Sequence, residues 1–146
     1  MSIKTIKFEI VTPEQVVLKE TVVRATIPTT SGELTILAGH IPLISVLKPG
    51  IIEVERETGE LEIMVVSGGF LEIQSGKIII LADYAERAAS LDETVIEEAR
   101  IKAEQAKIEA KNRDDVEFTD IAARLEVELF KNKALSRWRK LKNTGK

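Results

Sequence analysis

Hydrophobic and polar residues alternate with a period of two through most of the first 88 positions. Near the start of the chain, Ile6, Phe8 and Ile10 alternate with Lys7 and Glu9, as in a strand with one face toward solvent. Similar short runs follow, separated by turns such as Thr58-Gly59 and Ser75-Gly76. No helical period occurs before residue 88. The pattern predicts an antiparallel β-sandwich, or flattened barrel, over residues 1–88.

One run departs from this alternation, since residues 78–81 read Ile-Ile-Ile-Leu without a polar residue. A continuous apolar run is typical of a strand that is covered on both faces. We therefore expect a second sheet or the following helices to cover this strand.

The period changes to that of a helix after residue 88. Ser90-Leu91-Asp92-Glu93 has the form of a capping box and predicts a helix from about residue 91 to residue 111. A stripe of mostly small side chains runs along it: Val95, Ala99, Ala103, Ala106 and Ala110. After a break at 112–115, a second amphipathic helix is marked by Phe118, Ile121, Ala122, Leu125, Leu129, Leu135, Trp138 and Leu141.

Residues 89–146 are thus predicted to form an antiparallel helical hairpin, a second unit after the sandwich. Each buried alanine methyl contributes only about 0.8 kcal/mol before the entropy of ordering is subtracted. A hairpin held this weakly is able to exchange the sandwich for another surface, which a two-state switch requires.

Composition excludes several classes of protein. The 146 residues include no cysteine and one histidine, which argues against disulfides, thiol chemistry and a structural zinc site. No apolar run approaches the length of a membrane span, and Lys4, Lys7 and Glu9 interrupt any signal-peptide pattern, so we expect a cytosolic chain.

Charge is segregated along the chain. Residues 131–146 carry +7 with no acidic residue, and the remainder of the chain carries −10. Such a tail could meet an acidic protein surface, an anionic ligand or the acidic body of its own chain. Cations at a helix C-terminus also oppose the helix dipole without any further role. Because the body is acidic and Trp138 is isolated, the basic tail does not predict nucleic-acid binding.

Catalytic motifs are not evident in the sequence. His40 has neither a nucleophile motif nor a second histidine nearby, and a hydrogen bond to backbone is the expected role of its ring. Ser67-Gly68-Gly69 lacks the spacing and the following helix of a phosphate-binding loop, so a bend or bulge is expected there. We expect a protein that is not an enzyme.

Two segments resemble a known family. GELTILAGHIPL at 32–43, followed by LKPG at 47–50, is similar to the signature of the epsilon subunit of bacterial F-type ATP synthases. SGGFLEIQSGKIIILADYAERA at 67–88 is similar to the last sandwich strands of that family. The resemblance implies a non-catalytic rotor subunit whose sandwich binds the gamma subunit and the ring of membrane c subunits. It also implies a peripheral location on the cytoplasmic face of the bacterial cell membrane.

The same resemblance implies roles for individual residues. Glu33, expected in the same loop as His40, matches a position that faces the membrane ring, and His40 and Pro42 lie at the rotor contacts. The hairpin is implied to inhibit ATP hydrolysis by extending toward the alpha and beta subunits. In that state the tail residues Arg137, Arg139 and Lys140 would meet an acidic segment of beta.

Some members of the family bind ATP through a motif of the form I/L-D-x-x-R-A. Here Leu91-Asp92 is not followed by arginine at that spacing, and a shifted match places Glu97 and Arg100 in the motif. Regulatory ATP is therefore the single cofactor candidate, and otherwise no cofactor or metal is expected. A stand-alone β-sandwich adaptor that binds an unrelated protein is the alternative function, and the coupling ion and the preferred hairpin state stay open.

Overall fold

The computed structural model describes residues 3–110 and 115–144, with the backbone alone at residues 110 and 115–118. Strands occupy the first part of this chain and helices the second. The strands are β1 Ile6–Val11, β2 Val16–Val22, β3 Arg24–Thr29, β4 Gly32–Leu37, β5 Leu43–Leu47, β6 Gly50–Glu55, β7 Leu61–Val66, β8 Gly69–Gln74, β9 Lys77–Ala82 and β10 Ala85–Arg87. A single 3₁₀ turn, Ala88–Ser90, then leads to helices α1 Glu93–Ala110 and α2 Asp115–Thr144.

The strands form two half-sheets that join at β3. Along one edge β3 pairs first with β6, where Thr26 lies opposite Glu53, and then with β5, where Thr29 lies opposite Leu47. One half therefore has the order β4-β3-β6-β7-β10, and the other has the order β5-β8-β9-β1-β2. This confirms the predicted sandwich, with one correction: β1 and β9 pair in parallel, so the sandwich is not purely antiparallel.

A core of almost entirely aliphatic side chains lies between the two half-sheets, in keeping with the scarcity of aromatic residues in the sequence. Its largest fully buried members include Phe8, Ile27, Ile36, Ile52 and Ile80. Each comes from a strand in which the alternate residues point outward, so the period of two places one row of side chains in the core. Both half-sheets contribute, which fixes them face to face.

The strand that is covered on both faces is β7, and the prediction for residues 78–81 was wrong. In β9, Ile78 and Ile80 are buried in the core, but Leu81 on the opposite face is 54% exposed. In β7, Met64 and Val66 face the core, and Ile63 and Val65 are also completely buried on the outer face. An uninterrupted apolar run does not reveal whether another element covers its second face.

Gly69 occupies a position that no other residue fits. Its φ is +130°, and a Cβ atom added there would lie 2.0 Å from the carbonyl oxygen of Leu81. The peptide preceding it turns sharply, with Gly68 also at positive φ, and β8 then starts against β9. The Ser67-Gly68-Gly69 segment is thus a bend between strands, as predicted.

The start of α1 is capped differently from the prediction. Oδ1 of Asp92 accepts hydrogen bonds from the backbone N–H groups of Thr94 at 2.9 Å and Val95 at 3.3 Å. Ser90 instead ends the preceding 3₁₀ turn, so the Ser90–Glu93 capping box was wrong. Asp92 satisfies free N–H groups and places a negative charge at the positive end of the helix dipole.

The two helices run antiparallel, because the start of α1 meets the end of α2 where Glu93 pairs with Arg139. Two apolar residues were wrongly placed on the contact faces of the helices. Val95 is 61% exposed, and its neighbour Ile96 is the buried residue at 3% exposed; Leu129 is 48% exposed. Ala99, Ala103 and Ala106 are half-buried between the helices. Residues 112–114 of the predicted break at 112–115 and the side chains of Ala110 and Phe118 lie outside the described residues, and Asp115 already belongs to α2.

Helix α2 is the one that packs on the sandwich. Its Ala134 is fully buried in a second apolar cluster with Ile63 and Val65 of β7 and Ala88 of the 3₁₀ turn. Phe130, Trp138 and Leu141 of α2 surround this cluster. The residues of α2 that contact the sandwich thus recur every three or four positions, and together they cover the outer face of β7.

Candidate protein-interaction surfaces

A row of exposed apolar side chains crosses the outer face of the second half-sheet. Val46 of β5 lies opposite Phe70 of β8, which lies opposite Leu81 of β9. Their side chains are 46%, 58% and 54% exposed. Large apolar residues are usually exposed singly, and a contiguous row is typical of an interaction site. We call this row, together with Ile44, the apolar face.

Ile44 extends the apolar face by one residue toward the other end of β5. It is 75% exposed, and across the sheet its row continues through Glu72 to the half-buried Ile79. The next strand contributes Glu9, which pairs with Lys77 at 3.1 Å. The face is therefore apolar near the ends of β5, β8 and β9 and bordered by charged residues toward their middle, as in many interfaces.

This face was not predicted from the sequence. The signal was present in the period of two, since Phe70 alternates with the buried Leu71 and Ile73 and shares its side of β8 with Glu72. Register between strands then aligns Phe70 with Val46 and Leu81, and this register is not apparent from the sequence.

Glu33 and His40 lie at opposite ends of β4, so their predicted placement in one loop was wrong. Glu33 is the second residue of β4 and pairs with Pro28, whereas His40 comes three residues after Leu37, the last residue of the strand. A six-residue strand is about 20 Å long. Pro42 lies with His40 in the loop before β5, where both Ile41 and Pro42 are exposed.

The ring of His40 has a backbone partner, as predicted. Its Nδ1 lies 2.7 Å from the carbonyl oxygen of Ile41 and therefore donates to it, and the N–H of His40 donates to the carbonyl of Leu37 at 3.2 Å. These bonds stabilise the turn at residues 38–41. This loop and Glu33 remain two separate candidate contacts at opposite ends of the sandwich.

The basic tail residues have partners within the chain itself. Nη2 of Arg137 lies 2.5 Å from Oε2 of Glu53 on β6, and Nη1 of Arg139 lies 2.8 Å from Oε2 of Glu93 on α1. Lys140 is exposed on the side away from the sandwich. Of the alternatives left open by the charge pattern, the structure thus shows the tail meeting the acidic body of its own chain.

Glu97 and Arg100, the residues of the shifted nucleotide motif, pair with each other on α1. Arg100 Nη2 lies 2.6 Å from Glu97 Oε1, and Arg100 Nη1 lies 2.8 Å from Glu104 Oε1. The hydrogen bond from Arg100 lowers the pKa of Glu97. Neither residue is among the described residues that line the cavity between the helices and the sandwich.

A cavity of about 480 Å³ lies between the two helices and the sandwich. Its floor is apolar and includes Ala99, Ala103 and Ala106, because alanine side chains leave space between the helices. The cavity is also lined by Lys102, Arg124 and the half-buried Tyr84, and by Lys131, which pairs with Glu128 at 3.1 Å. Lys131 packs 4.8 Å from the centre of the Tyr84 ring, and burial together with the hydrogen bond to Glu86 raises the pKa of Tyr84.

Just before the helices begin, Arg87 ties the last strand to the sandwich. It donates two hydrogen bonds to the buried Glu62 of β7, at 2.6 and 3.1 Å, and Arg56 donates a third at 3.0 Å. These bonds with Glu62 raise the pKa of Arg87. A buried carboxylate needs such partners, so β10 is held firmly at the point where the sandwich ends.

Within residues 3–110 and 115–144, no three His, Asp or Glu side chains converge as metal ligands would. Neither described helix combines the length and apolar character that crossing a bilayer requires.

Residues 5–88 match the family model of the β-sandwich domain of the ATP synthase delta/epsilon chain. The ATP synthase epsilon chain of Dichelobacter nodosus is 50% identical over 96 residues, which are 66% of this chain and 67% of that one. The ATP synthase epsilon chain of Herpetosiphon aurantiacus is 42% identical over 119 residues, which are 82% of this chain and 87% of that one.

Two solved structures share the fold. A chain in the cryo-EM structure of the Euglena gracilis mitochondrial ATP synthase (OSCP/F1/c-ring, rotational state 1) aligns with a TM-score of 0.77 and 28% identity, over 90% of this chain and 81% of that one. A chain in the central stalk/c-ring structure of the Tetrahymena thermophila mitochondrial ATP synthase aligns with a TM-score of 0.56 and 16% identity, over 92% and 99%. The second similarity concerns the fold alone.

Proposed function

The chain belongs to the family of ATP synthase epsilon chains, and on that premise we propose that it is a non-catalytic subunit of the central stalk that joins the gamma subunit to the c-ring. Its relatives carry the name of this subunit, and a structural neighbour comes from an assembly that contains a c-ring. A peripheral position on the cytoplasmic face of the membrane follows from this role.

The apolar face is the observation that carries the proposal. Val46, Phe70 and Leu81 are exposed in one row of a well-packed sandwich, and leaving three large side chains in water is unfavourable unless a partner covers them. We assign this face to the gamma subunit. Glu33 and the loop with His40 and Pro42 extend the contacts of the rotor at the two ends of the sandwich, with Glu33 facing the c-ring.

Co-purification with the gamma subunit tests this assignment. Phe70→Asp places a charge in the middle of the apolar face, and we expect affinity for gamma to fall by roughly 30-fold or more, because truncated or charged central residues of an interface cost about 2 kcal/mol or more. The matched control is Ile108→Asp, since Ile108 is 72% exposed on α1, far from the sandwich face.

Retained binding of gamma by Phe70→Asp would remove the assignment of this face. Failure of the unchanged chain to co-purify with gamma would favour the alternative, a stand-alone adaptor whose sandwich binds an unrelated protein. The isolated chain is also expected to turn over no substrate, and activity lost on His40→Ala would contradict the non-catalytic role.

The hairpin is proposed to regulate ATP hydrolysis. In the folded state Arg137 and Arg139 pair within the chain, and in an extended state they and Lys140 would be free to meet an acidic segment of the beta subunit. Truncation after Ala89 should therefore raise ATPase activity of the reconstituted complex. Because truncation also uncovers Ile63 and Val65, a full-length Arg139→Gln/Lys140→Gln variant should accompany it. Unchanged activity in both would remove the inhibitory role and leave the assembly role intact.

We propose regulatory ATP as a second candidate ligand. The cavity between the helices is a better site for it than the Glu97–Arg100 pair, because those two residues already pair with each other. Lys102 and Arg124 offer positive charge to phosphates beside the apolar alanines, and Lys131 could join them by exchanging its partner Glu128 for a phosphate. Isothermal titration of the full chain with ATP is the test, with Arg124→Ala expected to abolish the heat and Arg100→Ala expected to preserve it. No heat at millimolar ATP would exclude nucleotide binding.

A further inference from the structure

One ion pair joins the side of α2 to the sandwich, next to the apolar cluster on which the helix packs. Arg137 immediately precedes Trp138, which packs around the cluster of Ile63, Val65 and Ala134. Its guanidinium reaches Glu53 of β6, the residue directly opposite Ile63 in the β6–β7 pair. Burial is unequal, since the Glu53 side chain is 15% exposed and the Arg137 side chain is 52% exposed.

Among the described residues around Glu53, Arg137 is the cation that pairs with it. The pair lies in a groove of about 450 Å³ between α2 and the outer faces of β3, β4 and β6. The neighbouring Glu55 is paired with Arg24 at 2.5 Å. The other charged residues of this groove are Glu33, Lys48 and Lys133. A largely buried carboxylate is stable only with a charged or hydrogen-bonding partner, so releasing α2 removes the cation that pairs with Glu53 among the described residues.

The second tail arginine provides a contrast. Arg139 pairs with Glu93, and this pair joins α2 to α1 within the hairpin. The Arg139 side chain is 49% exposed, close to the value for Arg137, but the Glu93 side chain is 61% exposed where that of Glu53 is 15% exposed. Movement of the whole hairpin away from the sandwich would break the Arg137 pair and could leave the Arg139 pair intact.

We propose that Glu53 and Arg137 form a salt-sensitive latch that holds α2 on the sandwich and keeps Arg137 from any other carboxylate. The latch rests on the proposed function, in which the hairpin exchanges a folded for an extended state. Glu53 then competes within the chain for the arginine that an acidic partner would bind. The apolar seat of Ala134 and Trp138 provides most of the docking, and the latch adjusts the ratio of docked to released hairpin.

Charge exchange in the full-length chain tests the latch, with Trp138 as the single tryptophan and hence a specific reporter of docking. Glu53→Arg places a cation beside Arg137, and Arg137→Glu places a carboxylate beside Glu53. Each is expected to lower the docked-to-released ratio by roughly fivefold, as tryptophan emission and hydrogen exchange of α2 would measure. The exchanged double variant, Glu53→Arg/Arg137→Glu, should return the ratio to within about twofold of the original.

The matched control is the exchange of the other pair. Glu93→Arg and Arg139→Glu remove an ion pair of the same tail that does not reach the sandwich, and they should change docking by less than about twofold. Raising salt from 50 mM to 1 M should lower docking of the original chain and leave the single Glu53→Arg variant unchanged or more docked, because screening weakens attraction and repulsion alike.

Single exchanges that leave docking unchanged, or a double variant that fails to recover it, would overturn the latch. Co-purification of the same variants with gamma separates this from the proposed function, because the apolar face lies on the other half-sheet and should bind as before. If the exchanges shift docking as expected while the original chain fails to bind gamma, the latch stands and the rotor assignment fails.

Discussion

On the outer face of β7, Ile63 and Val65 are completely buried beneath α2, whereas on the outer face of β8 and β9, Phe70 and Leu81 are 58% and 54% exposed. Both faces carry large apolar residues at alternate positions of their strands. Helix α2 of the same chain covers the first face. Among the described residues, no element covers the second face to a comparable degree. The comparison shows that one sandwich presents two docking faces, one for its own helix and one for a partner.

The two faces also differ in how reversible their contacts are expected to be. On the covered face a narrow strip of β7 contacts one helix, with an ion pair at its side and a cavity of about 480 Å³ beneath the hairpin. On the apolar face, three strands contribute a broad and flat surface. A small contact with a ready alternative suits a switch, and a broad one suits a permanent joint.

Placing a charge under α2 is expected to have the largest effect on this comparison. Ala134→Asp would put a carboxylate where the side chain is 0% exposed and lies in a cluster of apolar residues. We expect docking to weaken by about 3–4 kcal/mol, since a buried unpaired charge costs at least this much. Trp138 emission should shift to the red, and the outer face of β7 should then be exposed like the apolar face.

Ser136→Asp is the control for that change, because Ser136 lies on the exposed side of α2 two residues away. It should leave tryptophan emission unchanged. An Ala134→Asp chain with the emission of the original would mean that α2 does not depend on this seat.

Shortening one residue on each face compares the two directly. Ile63→Ala should lower the free energy of unfolding by about 3 kcal/mol, because it leaves a cavity beneath α2. Leu81→Ala removes a similar side chain from the apolar face and should change it by less than about 0.5 kcal/mol. Urea unfolding of the two variants is the measurement, and equal losses would contradict the description of the two faces.

The sequence predicted most of the fold, because its signals are local. The period of two and the turns at Gly59 and Gly76, both at positive φ, define the strands, and small and apolar residues at helical spacing define the hairpin. What it could not predict depends on pairing between distant segments. The doubly covered strand was assigned to residues 78–81 instead of β7, because only the position of α2 distinguishes them.

The candidate sites were predicted less completely for the same reason. His40 was correctly given a backbone partner, which lies one residue away. The row of Val46, Phe70 and Leu81 was missed, since it is assembled by the register of three strands. Arg137 was recognised as part of a basic tail, but its partner Glu53 lies 84 positions earlier in the chain and only the fold brings them together.

The start of α1 provides the smallest expected effect and bears on how the covering hairpin is attached. Asp92, which follows the 3₁₀ turn, accepts hydrogen bonds from Thr94 and Val95, whereas Ser90 makes no such contact with the helix. Asp92→Ala should therefore destabilise α1 by about 1 kcal/mol, and Ser90→Ala should have no measurable effect. Hydrogen exchange in the first turn of α1 would report the difference. Because α2 carries the contact with β7, fraying of α1 should leave Trp138 emission in place, and a loss of docking in Asp92→Ala would show instead that the covered face depends on both helices.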